Sequence, residues 1–313
     1  MMKGTINLVP FFIKIINYLP FLKYVNKINT MAKLLATDLD GTLFYPKKRI
    51  KLISNRTRKM IRDFIDEGNP FVVVSGRNIG PCTRVFKRLE REGYAVGCNG
   101  SFIYEKGNII FKKTFEPTIL HKVIKYIEDH FDTRGFYVMS EDNEFVQREK
   151  FKSPIYRFMN SLWYFYQGAL RNPYEICREK FEKIINEGRA FKLMIMFGIS
   201  KKSKQRCSEA NKELYKEFGN EIEASWSNEF IEISPYGCSK SNGLKFLENY
   251  LKIQHDDIFV IGDSGNDISM FKEYQEHSFC MSHAPLSVSK YASHTIKRFE
   301  NVKDYLYEDK ERK

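Results

Sequence analysis

The sequence predicts an α/β fold, a parallel sheet covered by helices and interrupted by an inserted α+β unit. Three observations carry this. First, Ala32–Asp40 (AKLLATDLD), Pro70–Arg77 (PFVVVSGR) and Asp257–Asp267 (DIFVIGDSGND) each run from a short apolar stretch into an abrupt polar cluster. Continuous apolar runs suit strands buried on both faces, as in a parallel sheet. Second, helical spacing follows such runs: Met60, Ile61, Phe64 and Ile65 within Thr57–Glu67, then Leu244, Leu247 and Leu251, then Ile268 and Phe271. Third, between about Phe111 and Ser227 helical stretches (Ile119–His130, Tyr174–Glu187, Ser203–Phe218) alternate with short strands such as FYVMS, FKLMIMF and EIEASW. FIEISP (Phe230–Pro235) then leads back to the first unit.

At the N-terminus, Asn7–Val25 (NLVPFFIKIINYLPFLKYV) is apolar but broken by Pro10, Lys14, Asn17 and Pro20. It falls short of the roughly 18–20 uninterrupted apolar residues of a spanning helix, and it has no A-x-A-like cleavage site. Stable membrane insertion is therefore not expected. Residues 1–30 are read as an extension without a role, ahead of a start at Met31, although a basic, aromatic-rich segment also suits contact with a membrane surface. The expected organisation is this extension, a core of residues 31–110 and 228–313, and an inserted unit of residues 111–227.

The 313 residues carry 51 Lys and Arg against 39 Asp and Glu, a net charge of +12. A basic balance favours anionic partners. No dense basic block or nucleic-acid-binding motif is present, so nucleic acid is not the expected partner. The six cysteines form no C-x-x-C pair, which argues against zinc and for free thiols in a reducing cytoplasm.

The chemistry sits where the apolar runs stop. In an open parallel sheet, ligands bind beyond the carboxyl ends of the strands. Asp38 and Asp40 would there meet Ser75, Asp263, Asn266 and Asp267 in one crevice. So many carboxylates repel one another unless a cation lies among them, and hard oxygen ligands point to Mg²⁺. Lys240, near the start of the helix SKSNGLKFLENYL, opposes the helix dipole. It is either a solvated lysine or a charge aimed at an anion in the crevice.

DLDGT (Asp38–Thr42), VVSGR (Val73–Arg77), the lysine of CSKSNGL (Cys238–Leu244) and GDSGND (Gly262–Asp267) resemble, in order and spacing, the haloacid dehalogenase (HAD) superfamily of phosphohydrolases. The likeness extends to its Cof-like branch, subfamily IIB, and CNGSFIY (Cys98–Tyr104) is similar to that branch's NG-containing strand. It covers about Met31–Leu306. The resemblance implies a Rossmann-like core with an inserted α+β cap domain, and a Mg²⁺-dependent phosphatase of small phosphorylated metabolites: sugar phosphates, nucleotides or cofactor phosphates. Asp38 would be the nucleophile, forming an aspartyl-phosphate, and Asp40 the general acid and base. Thr42, Ser75, Gly76, Lys240 and Asn266 would bind substrate. Asp38, Asp40 through its carbonyl, Asp263 and Asp267 would hold the metal. The alternatives are a phosphomutase and a non-catalytic phosphometabolite-binding protein on the same fold. A monomer is expected.

Three positions depart from the family pattern: Ser75 stands where threonine is commoner, His283-Ala284 stands where an Asn-Ala pair is usual, and ENVKDYL replaces the usual ending. In the cap, the stripe Ile155, Phe158, Met159, Leu162, Phe165, Tyr166 and Ala169 reads as core, which leaves Trp163 and Tyr164 as ligand contacts. Arg148, Arg157, Arg171 and Lys192 read as solvated charges, or as contacts to a second phosphate. Arg77 reads as a salt-bridging residue.

Overall fold

The computed structural model describes residues 32–46, 53–149, 174–227 and 229–307. The expectations for residues 1–30, and for the cap stripe, Arg157, Trp163, Tyr164 and Arg171, lie outside these residues.

The first sheet has eight strands. They are β1 (Leu34–Thr37), β2 (Phe71–Val74), β3 (Tyr94–Gly97), β4 (Phe102–Glu105), β5 (Asn108–Lys112), β12 (Ile258–Gly262), β13 (Ser278–Met281) and β14 (His294–Ile296), in the order β14-β13-β12-β1-β2-β3-β4-β5. The strands from β14 to β3 run parallel, and β4 and β5 close one edge as antiparallel neighbours. β1 and β2 are buried along their whole length, as continuous apolar runs require.

Helices α1 (Asn55–Asp66), α2 (Ile79–Leu89) and α6 (Lys240–Leu251) cover this sheet. Met60, Ile61 and Phe64 of α1 pack with Phe71 and Val73 on one side. Leu244 and Leu247 of α6 pack with Leu34, Ala36 and Val72 on the other. Ser239 caps α6, its hydroxyl accepting from the Asn242 backbone N–H at 3.1 Å.

The second sheet is mainly antiparallel, in the order β10-β11-β9-β6-β7-β8: β6 (Gly135–Ser140), β7 (Phe145–Glu149), β8 (Glu175–Ile176), β9 (Ala190–Met196), β10 (Ile222–Ser227) and β11 (Phe230–Pro235). Helices α3 (Pro117–His130), α4 (Arg178–Asn186) and α5 (Lys201–Phe218) share a core with it, built around Leu120, Phe181, Leu193, Leu214 and Ile231.

Two details depart from expectation. Phe230–Pro235, assigned by sequence to the first unit, pairs with β9 and β10 in the second sheet. Tyr174–Glu187, expected to be one helix, opens with the short strand β8 before α4 begins at Arg178. No helix among the described residues is long and apolar enough to cross a membrane. All six cysteines are unpaired.

Candidate active site

β12, β1 and β2 are neighbours in the first sheet, so the segments following them converge at one edge. Past β1 the chain turns sharply: the Asp38 N–H donates to the Ile261 carbonyl at 2.9 Å, and Gly41 takes a positive φ of 94°. A Cβ on Gly41 would lie 2.2 Å from Asp263 Oδ2, so only glycine lets this turn sit against the β12 loop.

Asp38 is 5% exposed, and Lys240 Nζ donates to its Oδ1 at 2.7 Å and to Asp267 Oδ1 at 2.6 Å. Lys240 is buried, so its reading as a charge aimed into the crevice holds and the solvated reading does not. Burial pushes the Asp38 carboxyl up to about 7; Lys240 opposes this, while Asp267 and Asp263 reinforce it. Burial, with Asp267 beside it, raises Asp263 too, against the pull of Thr42 and His283. Burial alone would lower Lys240, but the two carboxylates it bridges hold it above its ordinary value.

The remaining expected residues lie around this pair. Thr42 Oγ1 donates to Asp263 Oδ1 at 2.8 Å. Asp267 Oδ2 accepts from the backbone N–H groups of Asp263 and Ser264, both at 2.9 Å, which anchors the loop after β12. Asp40 forms a two-point ion pair with Arg77. Arg77 is thus the salt-bridging residue its sequence context suggests. Ser75 is buried and its Oγ accepts from the Arg77 N–H at 3.2 Å. The Gly76 carbonyl accepts from Lys192 Nζ at 2.9 Å. Asn266 Nδ2 donates to Asn99 Oδ1 at 3.3 Å.

Two charges lie elsewhere than their sequence context suggests, two further residues, Asn99 and Glu232, join the site, and His283, singled out as a departure from the family pattern, meets Asp263. Lys192, read as a solvated charge or a phosphate contact, is 1% exposed and pairs with Glu232 at 2.7 Å. Arg148 stacks over Phe136 and Phe181 and pairs with Glu128 and Glu182, so the second unit's own side chains engage it. Asn99 adopts φ 57° and touches both Asn266 and Glu232; the NG of CNGSFIY was its signal. Glu232 gave no signal, because its partner lies on another strand. His283 reaches Asp263 at 3.3 Å and stacks on Tyr45 with ring centres 4.2 Å apart.

Asp38, Asp263 and Asp267 are all buried, and each offers an oxygen within 4.8 Å of the others. One lysine cannot balance three carboxylates, and an all-oxygen donor set of this kind suits a hard divalent cation. Burial, with the neighbouring carboxylates adding to it, raises both the Asp38 and the Asp263 carboxyl. Asp38 Oδ2 is the oxygen of this trio without a hydrogen bond named above, while both Asp267 oxygens and both Asp263 oxygens have partners.

Comparison with known proteins agrees with this geometry. The family model for haloacid dehalogenase-like hydrolases matches residues 35–303. A 5-amino-6-(5-phospho-D-ribitylamino)uracil phosphatase of Bacillus subtilis is 27% identical over 250 residues, covering 80% of this chain and 84% of that protein. An Escherichia coli phosphatase of the same name is 26% identical over 280 residues, covering 88% and 94%. The solved structure of the HAD subclass IIB sugar phosphatase BT4131 superposes with a TM-score of 0.68 at 17% identity, covering 90% of this chain and 99% of that one.

Proposed function

The chain belongs to the haloacid dehalogenase-like hydrolase family, and from that premise we propose that it is a Mg²⁺-dependent phosphatase of small phosphorylated metabolites. The observation that carries the reading is Lys240 Nζ at 2.7 Å from Asp38 and 2.6 Å from Asp267, at the carboxyl edge of a parallel sheet.

Asp38 attacks phosphorus, and the phosphorus–oxygen bond to the leaving group breaks. Asp40 gives its proton to the departing oxygen. Asp40, now a carboxylate, takes a proton from water as that water attacks the aspartyl-phosphate, which releases phosphate and restores Asp38. Arg77 pairs with both oxygens of the Asp40 carboxylate, so one of these bonds opens first and the freed oxygen takes a proton from water before Asp40 acts as the acid. Ser75 donates to a phosphoryl oxygen, and Lys240 draws the phosphoryl charge toward Asp38. Thr42 sets the orientation of Asp263, and the Asn266 amide faces the phosphate from the β12 loop. Mg²⁺, held by Asp38, Asp263 and the Asp40 carbonyl with Asp267 behind them, would neutralise charge on the phosphoryl oxygens and keep Asp38 ionised.

The first sheet would then be the catalytic domain and the second a cap that selects the leaving group. The unpaired cysteines support a reducing cytoplasm as the compartment.

The test is release of p-nitrophenol from p-nitrophenyl phosphate, with Mg²⁺ and with EDTA. Turnover should require the metal and fall at least about 10³-fold in Asp38→Asn. Sugar phosphates, nucleotides and cofactor phosphates follow, and the two named relatives make a phosphorylated ribityl compound the first metabolite to try. A folded wild-type protein that turns over none of these would end the reading.

A further inference from the structure

The second sheet sends an ion pair with a buried lysine toward the first. Lys192, on β9, and Glu232, on β11, lie on adjacent strands, with Nζ and Oε2 2.7 Å apart. Lys192 is 1% exposed. An ion pair that buries its lysine is often no more stabilising than two apolar side chains, so stability alone does not explain it.

Its contacts point across to the crevice. Lys192 Nζ donates to the Gly76 carbonyl at 2.9 Å. On the other side of that same peptide bond, the Arg77 N–H donates to Ser75 Oγ at 3.2 Å. A cation on the carbonyl polarises the peptide and strengthens the N–H as a donor. Ser75 Oγ, accepting that bond, keeps its own proton for an outside acceptor. The chain of dipoles therefore runs from Lys192 through one peptide to the hydroxyl that faces phosphate.

A second arm starts at Glu232, whose Oε2 also accepts from Asn99 Nδ2 at 3.0 Å. Asn99 in turn holds Asn266 through its Oδ1 and donates its backbone N–H to the Ser75 carbonyl at 3.2 Å. Burial alone would push the Glu232 carboxyl up, but Lys192 and Asn99 hold it below its ordinary value, which favours the carboxylate. A Cβ on Gly76 would lie 3.0 Å from both Asn99 Oδ1 and Lys192 Nζ, so a side chain there would crowd both arms of this network.

We propose that Lys192 and Glu232 are positioning residues, through which the second sheet orients the Ser75–Arg77 loop and Asn99 for binding the phosphoryl group. This rests on the phosphatase reading for its substrate. It adds that the second sheet completes the phosphate site as well as covering it, so a seated second sheet is a condition of turnover.

The experiment is a double-mutant cycle between Lys192→Met and Ser75→Ala. It is read by kcat and KM on p-nitrophenyl phosphate, and by calorimetric binding of inorganic phosphate in Mg²⁺, with thermal melts to confirm folding. Lys192→Met should lower kcat and weaken phosphate binding by about 10- to 100-fold, and Lys192→Arg should recover part of the loss. In the Ser75→Ala background the same substitution should do much less, because its route runs through the Ser75 hydroxyl. Full additivity, or a folded Lys192→Met protein with unchanged kcat and phosphate affinity, would overturn the proposal. If Lys192→Met does not fold, Glu232→Gln is cycled against Asn99→Ala, the residue its own arm runs through, with the same readouts. Absent turnover in wild type would count against the phosphatase reading alone, since the phosphate-binding cycle still judges the pair.

Discussion

The two sheets treat charge in opposite ways. At the edge of the first, Asp38, Lys240, Asp263 and Asp267 are all buried and converge on one crevice. The second keeps most of its ion pairs at its rim, where Arg189 meets Glu187 at 2.7 Å and Glu144 at 3.0 Å, and Lys180 meets Glu144 at 2.9 Å. Rim pairs gain little, because water already solvates both partners. Buried pairs are strongly coupled, because removing one partner strands the other. The charges costliest to unpair are therefore the ones the proposed chemistry would use, and Lys192, buried beside Glu232, departs from the second sheet's habit.

The sharpest way to break this contrast is at Lys240. Lys240→Met strands Asp38 and Asp267 together, and should lower the unfolding free energy in urea by roughly 3–5 kcal/mol at neutral pH without metal. Adding Asp38→Asn should restore part of that loss by removing one stranded carboxylate. Turnover should be lost in both proteins. Additive stability losses would mean that the crevice charges are less coupled than their 2.7 and 2.6 Å contacts imply.

A smaller effect belongs to the backbone that brings the crevice together. Gly41→Ala places a methyl group against the Asp263 carboxylate at a positive φ, so it should destabilise by about 1–3 kcal/mol. The same shift of Asp263 should reduce Mg²⁺ affinity, measured calorimetrically. An unchanged affinity would show that Asp263 is not a ligand.

These contrasts also mark what the sequence could reveal. The crevice residues were legible because each follows an apolar strand within a few positions: Asp38 after β1, Ser75 after β2, Asp263 after β12. Local order was enough, since a parallel sheet aligns those ends. Lys192 was not legible. Its burial depends on β11 pairing with β9, a contact between residues 40 positions apart, and nothing in FKLMIMF says that its lysine faces a carboxylate. The same ladder explains why Phe230–Pro235 looked like a return to the first unit. An alternating strand read alone carries no record of which sheet it joins. Asp40 was legible as a carboxylate in the crevice but not as Arg77's partner in a two-point pair, because both side chains leave their loops to meet.

The smallest effect tests the rim. Burial alone would push the Glu144 carboxyl up, but Lys180, Arg189 and Ser140 hold it below its ordinary value of 4.5. A carboxyl with a lowered folded value binds fewer protons folded than unfolded. Its contribution is therefore present above pH 4.5 and fades as pH falls through the lower, folded value. Glu144→Gln should thus be less stable than wild type at pH 7, by under about 1 kcal/mol, and the two should converge in strong acid. In 1 M salt, where the screening length is about 3 Å, the difference at pH 7 should shrink, while the loss in Lys240→Met should not. Equal salt sensitivity at the two sites would mean that the crevice is as open to ions as the rim, and the contrast between the sheets would fail.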